Sequence, residues 1–232
     1  MNIIITGASK GIGKAIAKQF AAANNTLFLC ARNEDQLNAT ANELRQQFPQ
    51  STVHTKVTDM RQKLAVQEFA AWCSSFGVAD IVVNNAGRFL PGSVHSEEDG
   101  ILEKMIETNL YSAYYLTRVL LPAMIKNKSG HIFNICSIAS LQAYKNGGSY
   151  SISKFALLGF SKNLREELKE FNIKVTSVLP GAAYTDSWSK SGIDPKRIME
   201  ADDVAKMVFA ASQLSAQACV EEILLRPQLG DL

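Results

Sequence analysis

The sequence predicts an α/β fold, a parallel β-sheet covered by helices on both faces, and three observations carry that prediction. Short apolar runs of strand length alternate with segments whose apolar residues recur at helical spacing. The first strand and first helix are joined by a glycine-rich turn, Gly7-Ala-Ser-Lys-Gly-Ile-Gly13. The chain has 232 residues, 47% of them apolar, which suits one well-buried core, so residues 1–232 are read as a single domain.

In order along the chain, residues 2–6 are a short apolar strand, and Ile12, Ile16, Ala17 and Phe20 follow at helical spacing. Residues 26–31 form a second strand, and Leu37, Ala41, Leu44 and Phe48 a second helix that Pro49 ends. Residues 52–57 read as strand, 64–76 as helix and 80–84 as strand, ending in Asn84-Asn85-Ala86-Gly87. One long helix is expected over 97–126, containing Asn109, followed by a strand at 131–136. Ser137 therefore falls just past a strand's carboxyl end, where open parallel sheets bind ligands. A further helix runs through Leu157, Leu164, Leu168 and Phe171, and residues 173–179 form a strand that ends at Pro180-Gly181.

The glycine turn has the mechanics of a phosphate site. Glycines let an anion approach the backbone, and the helix that follows offers free N–H groups and a positive dipole end. The spacing is GxxxGxG, not the commoner GxGxxG, so the match is one of mechanics, and such turns also arise for geometric reasons alone. At the end of the second strand, an acid would bind the ribose 2′-hydroxyl of NAD and an arginine suits the 2′-phosphate of NADP. Arg32 stands there without an acid, and Lys10 inside the turn adds a second cation.

Gly147-Gly-Ser-Tyr-Ser-Ile-Ser-Lys154 places a phenol and an ammonium four residues apart at a helix start, hence on one face. Of six tyrosines, only Tyr150 has a lysine at that spacing, which sets the pair apart from ordinary surface residues. A nearby cation favours the phenolate, so Lys154 is expected to lower the Tyr150 pKa, and together with an oxidised nicotinamide to bring it from about 10 to between 7 and 8, a shift worth about 3 to 4 kcal/mol.

Composition excludes other classes. A net charge of +2 favours neither nucleic acid nor an anionic membrane, and any anion site must be local. Cys30, Cys73, Cys136 and Cys219 lack metal or CxxC spacing and fit reduced core thiols, so no metal site is expected. No apolar run reaches membrane-spanning length and Met1 leads almost directly into a strand, so a cytoplasmic protein without a membrane or nucleic-acid partner is expected.

Taken together these motifs resemble the classical short-chain dehydrogenases/reductases. The resemblance covers TGASKGIG at 6–13, NNAG at 84–87, Asn109, Ser137, YSISK at 150–154 and PGAAYT at 180–185. It implies a doubly wound Rossmann fold with a seven-stranded parallel sheet and a catalytic tetrad of Asn109, Ser137, Tyr150 and Lys154. It further implies NADP(H) as cofactor, with Gly7, Ser9, Lys10, Gly11, Ile12, Gly13, Arg32 and Asn33 on the adenosine phosphates and Pro180, Gly181 and Thr185 at the nicotinamide. Val57, Asn85, Ala86 and Gly87 complete the cofactor contacts, joined by Tyr150 and Lys154. Lys56 stands where the family often has an adenine-contacting Asp, and Val220-Glu-Glu-Ile-Leu-Leu-Arg-Pro departs from the Val-Asp-Gly-Gly ending of the 3-oxoacyl-carrier-protein reductases. The chain looks more like the general carbonyl and hydroxy-acid reductases.

The expected reaction is reversible, NADPH-dependent reduction of a ketone or aldehyde, with Ser137 hydrogen-bonded to the carbonyl oxygen and Tyr150 delivering its proton. Asn109 would bind a water linking Lys154 to solvent. Residues 186–200 are expected to form a substrate lid. Trp188, with Phe89, Leu141, Tyr144 and Tyr184, suggests an apolar or aromatic pocket, and Lys190, Lys196 and Arg197 offer cations for a carboxylate or phosphate. Apolar residues on more than one helix face, Leu110, Tyr114, Leu121, Leu157 and Phe160, suggest a homodimer or homotetramer. The alternatives are a catalytically silent NADP-binding regulator and a sugar-nucleotide epimerase or dehydratase with a similar YxxxK.

Overall fold

A computed structural model of the chain describes residues 1–185 and 192–231. In chain order its elements begin β1 (Asn2–Thr6), α1 (Gly11–Ala22), β2 (Thr26–Ala31), α2 (Glu34–Gln47), β3 (Thr52–Val57) and α3 (Lys63–Ser74). They continue β4 (Ile81–Asn84), α4 (Ile101–Ile106), α5 (Ser112–Asn127), β5 (Gly130–Ile135), α6 (Gly148–Leu168) and β6 (Ile173–Pro180). The last are β7 (Ala183–Tyr184), β8 (Met199–Glu200), α7 (Ala201–Ser212) and β9 (Glu222–Leu225).

Seven strands form one sheet in the order β3-β2-β1-β4-β5-β6-β9, and every pairing in it is parallel. Side chains alternate between its faces. Ile3, Ile5, Leu27 and Leu29 join the apolar cluster that includes Ile16 and Phe20 of α1, Leu37 and Leu44 of α2, and Val204 and Val208 of α7. Ile4, Phe28, Val82 and Ile132 enter the opposite cluster, with Phe69 of α3, Leu116 of α5 and Leu164 of α6. Both faces are thus sealed, which explains why the strands read as unbroken apolar runs. The doubly wound, seven-stranded expectation holds. Cys30, Cys73 and Cys136 are buried and Cys219 partly so, all as free thiols.

Several expectations need correction. The helix expected over 97–126 begins at Ile101, after Gly100 at φ 85°, and is interrupted by a π-helical turn at Glu107–Tyr111 between α4 and α5. Four elements go beyond the segments identified from sequence: the short strands β7 and β8, α7 and the edge strand β9. Leu157 packs inward at 2% exposure, whereas Tyr114 is exposed as expected, and Tyr111, Ile152 and Phe155 are exposed as well. Of the expected lid, residues 186–191, with Trp188 and Lys190, lie outside the described residues. Residues 192–200 pack back through a β7–β8 pairing and buried Ile198.

The chain's path across the sheet reverses at the β1–β4 boundary, and Gly87, just after β4, lies beside Lys154 of α6. Thr6 ties that boundary together: its hydroxyl accepts the N–H groups of Asn85 and Ala86, at 3.1 and 2.9 Å. A crevice at this position is the general ligand site of open parallel sheets.

Candidate active site

The glycine turn is shaped as its residues demand. Gly7 and Gly11 have φ of 65° and 55°, where a side chain would be strained. A Cβ on Gly13 would collide with Asn85 Nδ2 and the Gly7 carbonyl oxygen. Asn85 holds the turn closed by donating from Nδ2 to the carbonyls of Thr6 (2.8 Å) and Gly7 (3.1 Å). Its amide therefore shapes the site from behind, and Ala86 packs into the core below. In α1, Lys14 N–H returns to the Lys10 carbonyl, so the N–H groups of Gly11, Ile12 and Gly13 belong to the turn that lacks intrahelical partners. Such a surface fits a pyrophosphate. Thr185 comes to the same place, its methyl 3.0 Å from where a Gly11 Cβ would stand.

Beside the turn, exposed Arg32 follows the end of β2, and Asn33 caps α2 by accepting the Gln36 N–H at 2.8 Å. Ser9 lies under α2, its carbonyl accepting the Thr40 hydroxyl at 2.9 Å. Val57, 46% exposed, closes β3 next to Ala31 and leaves an open apolar surface. Lys56 turns away to α3, donating to the Glu68 carbonyl at 3.3 Å and lying over Trp72. Its ammonium has no part in this end of the crevice.

The tyrosine helix is anchored to the sheet by its own lysine. Lys154 is 5% exposed and donates to the Ile135 carbonyl at the end of β5 at 2.8 Å. Gly87 lies alongside, where a Cβ would meet Asn109 Oδ1 at 3.3 Å and Lys154 Nζ at 3.6 Å. Ser137 caps a short 3₁₀ turn, its Oγ accepting the Ala139 N–H at 3.1 Å, and so keeps its own proton to donate. Its hydroxyl acts on the Tyr150 pKa in the lowering sense, and the Tyr150 ring meets Phe89 edge-on at 4.9 Å.

The electrostatics reverse one expectation. The Tyr150 pKa is not lowered: burial of the phenol raises it to about 12, against a smaller lowering by Ser137. Burial also draws Lys154 down to about 8. The ammonium lies 5.9 Å from the Tyr150 ring centroid and spends its hydrogen bond on the sheet. Desolvation is the largest cause for both groups, so Tyr150 stays protonated at neutral pH.

Asn109 sits in the π-turn, 1% exposed. Its Oδ1 accepts the Arg88 N–H at 2.7 Å, while Nδ2 donates to the Arg88 carbonyl (3.0 Å) and Ser153 Oγ (2.8 Å). Ser153 Oγ in turn donates to the Tyr150 carbonyl at 2.7 Å. The side chain expected to bind a water thus splints the loop after Gly87 to the tyrosine helix. Gly181, after Pro180, donates its N–H to the Leu225 carbonyl at 2.8 Å and packs against Pro227. Arg197 is committed to the carbonyls of Leu229, Gly230 and Asp231 at 3.0 to 3.3 Å, so it clasps the C-terminal segment and is not offered to a substrate. Sequence reasoning missed Ser153 and Glu97. Ser153 was within reach, lying on the tyrosine helix next to Lys154.

A phenol, a hydroxyl and a buried lysine at the carboxyl edge of a doubly wound sheet, next to a turn that fits a pyrophosphate, are groups suited to an α/β oxidoreductase. Comparison with known proteins narrows the class: a family model described as short chain dehydrogenase matches residues 1–196, and the chain belongs to that family. Sepiapterin reductase of Chlorobaculum tepidum is 34% identical over 241 residues, covering 99% of this chain and 97% of that protein. An alcohol dehydrogenase from the archaeon Thermococcus sibiricus, solved with 5-hydroxy-NADP, superposes with a TM-score of 0.90 at 28% identity, covering 98% of this chain and 96% of that one. L-sorbose reductase from Gluconobacter frateurii, complexed with NADPH and L-sorbose, gives 0.90 at 29% identity over 97% and 94% of the two chains.

Proposed function

We propose that this oxidoreductase uses NADPH to reduce the carbonyl of a small, apolar or aromatic ketone or aldehyde to an alcohol, reversibly. The observation that carries the reading is Lys154, buried and fixed to the Ile135 carbonyl at 2.8 Å on the helix of Tyr150, with Ser137 just past the end of the same strand. When bound, the dinucleotide supplies hydride to the carbonyl carbon. Ser137 donates a hydrogen bond to the carbonyl oxygen, and Tyr150 delivers a proton to it as negative charge develops. A phenol held protonated up to about pH 12 is in the form reduction needs. Oxidation of an alcohol would need the phenolate, which this environment disfavours. Lys154 is assigned to the ribose beside the nicotinamide, the turn from Gly7 to Gly13 to the pyrophosphate, and Lys10 and Arg32 to the 2′-phosphate. That NADP or NADPH accompanies the two structural relatives supports this choice of cofactor.

The loops that flank Tyr150 expose several aromatic and apolar side chains. Phe89 and Tyr144 are 41% and 43% exposed, Leu141 and Tyr184 41% and 39%. This lining supports a flat or apolar substrate. The test follows NADPH absorbance with diketones, aromatic aldehydes, quinones, 3-oxo esters and pterins. Turnover of at least one, lost in Tyr150→Phe, is expected, and no NADPH oxidation with any of them rejects the reading.

A further inference from the structure

We propose that Glu97 is a positioning residue for Tyr150, a carboxylate that sets the first turn of the tyrosine helix from 52 residues upstream. This rests on the reading of Tyr150 as proton donor. A helix of 21 residues begins at Gly148, and its N-cap, Gly147, has no side chain to offer the free N–H groups. Glu97 supplies the acceptor: its Oε1 and Oε2 take the Ser149 N–H at 3.0 and 3.3 Å, and Oε2 also accepts the Ser149 hydroxyl. A charged acceptor at a helix N-terminus is favoured by both the unpaired donors and the dipole.

The surroundings are cut to fit this carboxylate. A Cβ on Gly148 would collide with Glu97 Oε1, and one on Gly92 would lie 2.7 Å from Glu97 Cγ. The two loops are pinned further by Gly92 N–H to the Asn146 carbonyl (3.1 Å) and Ser93 Oγ to Asn146 Oδ1 (3.2 Å). The loop that carries Glu97 also carries Phe89, whose ring rests against Tyr150. One loop therefore holds the tyrosine from two directions, its ring directly and its helical turn through Ser149. Lys154, a turn further along and bound to Ile135, has its own anchor. Loosening the first turn should move the phenol and leave the cofactor side in place.

The experiment compares Glu97→Ala, Glu97→Gln and the neighbouring exposed control Glu98→Ala, using whichever carbonyl the parent chain reduces. Glu97→Ala is expected to lower kcat roughly 10- to 100-fold, with NADPH affinity and the KM for NADPH within about twofold of the parent. Glu97→Gln, whose amide oxygen still accepts the Ser149 N–H, should recover kcat to within about threefold. Glu98→Ala should match the parent. Hydrogen exchange supplies a readout independent of turnover: amides at Ser149 and Tyr150 should lose protection in Glu97→Ala and keep it in Glu97→Gln. Unchanged kcat, a parallel loss of NADPH affinity, or unchanged exchange in Glu97→Ala overturns the proposal. A parent chain that reduces no carbonyl instead rejects the functional reading, and the exchange measurement still decides the clamp.

Discussion

Lys154 reaches the sheet: its ammonium donates a 2.8 Å hydrogen bond to the carbonyl of Ile135, the last residue of β5. This locks the tyrosine helix against the strand whose continuation carries Ser137, so the Tyr150 phenol and the Ser137 hydroxyl share one rigid frame. Removing the two charged or polar ends of the pair should therefore have unequal effects. Tyr150→Phe keeps the ring against Phe89 and removes only the hydroxyl, so turnover should fall roughly 10²- to 10⁴-fold with NADPH affinity retained. Lys154→Met should impair both, and Lys154→Arg should recover little, because a planar guanidinium does not replace a compact ammonium. Fluorescence titration beside steady-state rates separates the outcomes, and near-normal turnover in Tyr150→Phe refutes the assignment of Tyr150.

The same burial makes cofactor affinity depend on pH. Lys154 is drawn down to about 8, so in the cofactor-free chain it carries its charge below that pH and loses it above. If the ammonium holds the ribose, NADPH affinity should be level up to about pH 7.5 and weaken above pH 8, by at most tenfold per unit. Lys154→Met should remove this dependence. Titrations at pH 7, 8 and 9 that show the same slope in both proteins would place the titrating group elsewhere.

Much of this was legible in the chain itself, and the boundary is physical. Strands buried on both faces must be apolar throughout, so β1, β2 and β4 announce themselves, and the Tyr150 to Lys154 spacing is meaningful wherever a helix is expected. The π-turn at Asn109 was hidden because one inserted residue barely disturbs a long apolar helical pattern. Helix α7 left a readable signal in Val204, Val208 and Ala211. Glu97 and Ser149 were beyond reach, since nothing local links a carboxylate to a helix start 52 residues away. The Tyr150 pKa is a related case: sequence shows a neighbouring charge, and only the fold shows the burial that raises it to about 12.

Cofactor choice should follow the cations at the end of β2. Charge-assisted contacts to a phosphate contribute about 1.5 to 3 kcal/mol, so NADPH should be preferred over NADH roughly 10- to 150-fold for each good contact. Ala31→Asp combined with Arg32→Ala puts an acid where the ribose 2′-hydroxyl would lie and should shift the balance to NADH. Equal catalytic efficiency with both cofactors in the parent chain would contradict the roles given to Lys10 and Arg32.

Tyr111, Tyr114, Ile152 and Phe155, each 36 to 45% exposed, leave apolar surface on α5, α6 and the π-turn that one sheet cannot cover. A symmetric dimer or tetramer of 25.4 kDa chains is expected, and Phe155→Glu should dissociate it. Light scattering at micromolar concentration that finds only monomer in the parent chain refutes this.

Acid stability should be governed in part by His131, far from the site. The ring is 5% exposed, stacked on Phe133 at 3.9 Å, with Nε2 at 2.8 Å from Thr176 Oγ1. Thr176 spends its own proton on the Val220 carbonyl at 2.6 Å, so Nε2 must carry hydrogen and donate, the neutral tautomer. Burial, reinforced by Lys174, lowers the His131 pKa to about 3, whereas in the unfolded chain it is about 6.5. Between those values the unfolded chain binds one more proton than the folded one. The stability from a neutral His131 is thus fully present above pH 6.5 and is lost as pH falls towards 3, by about 1.4 kcal/mol per unit. His131→Gln keeps an N–H for Thr176 and cannot titrate. Urea unfolding at pH 7.5 and pH 5 should therefore show the parent losing about 2 kcal/mol more than the variant over that interval. Equal losses in the two proteins would mean that His131 is protonated, or exposed, in the folded chain.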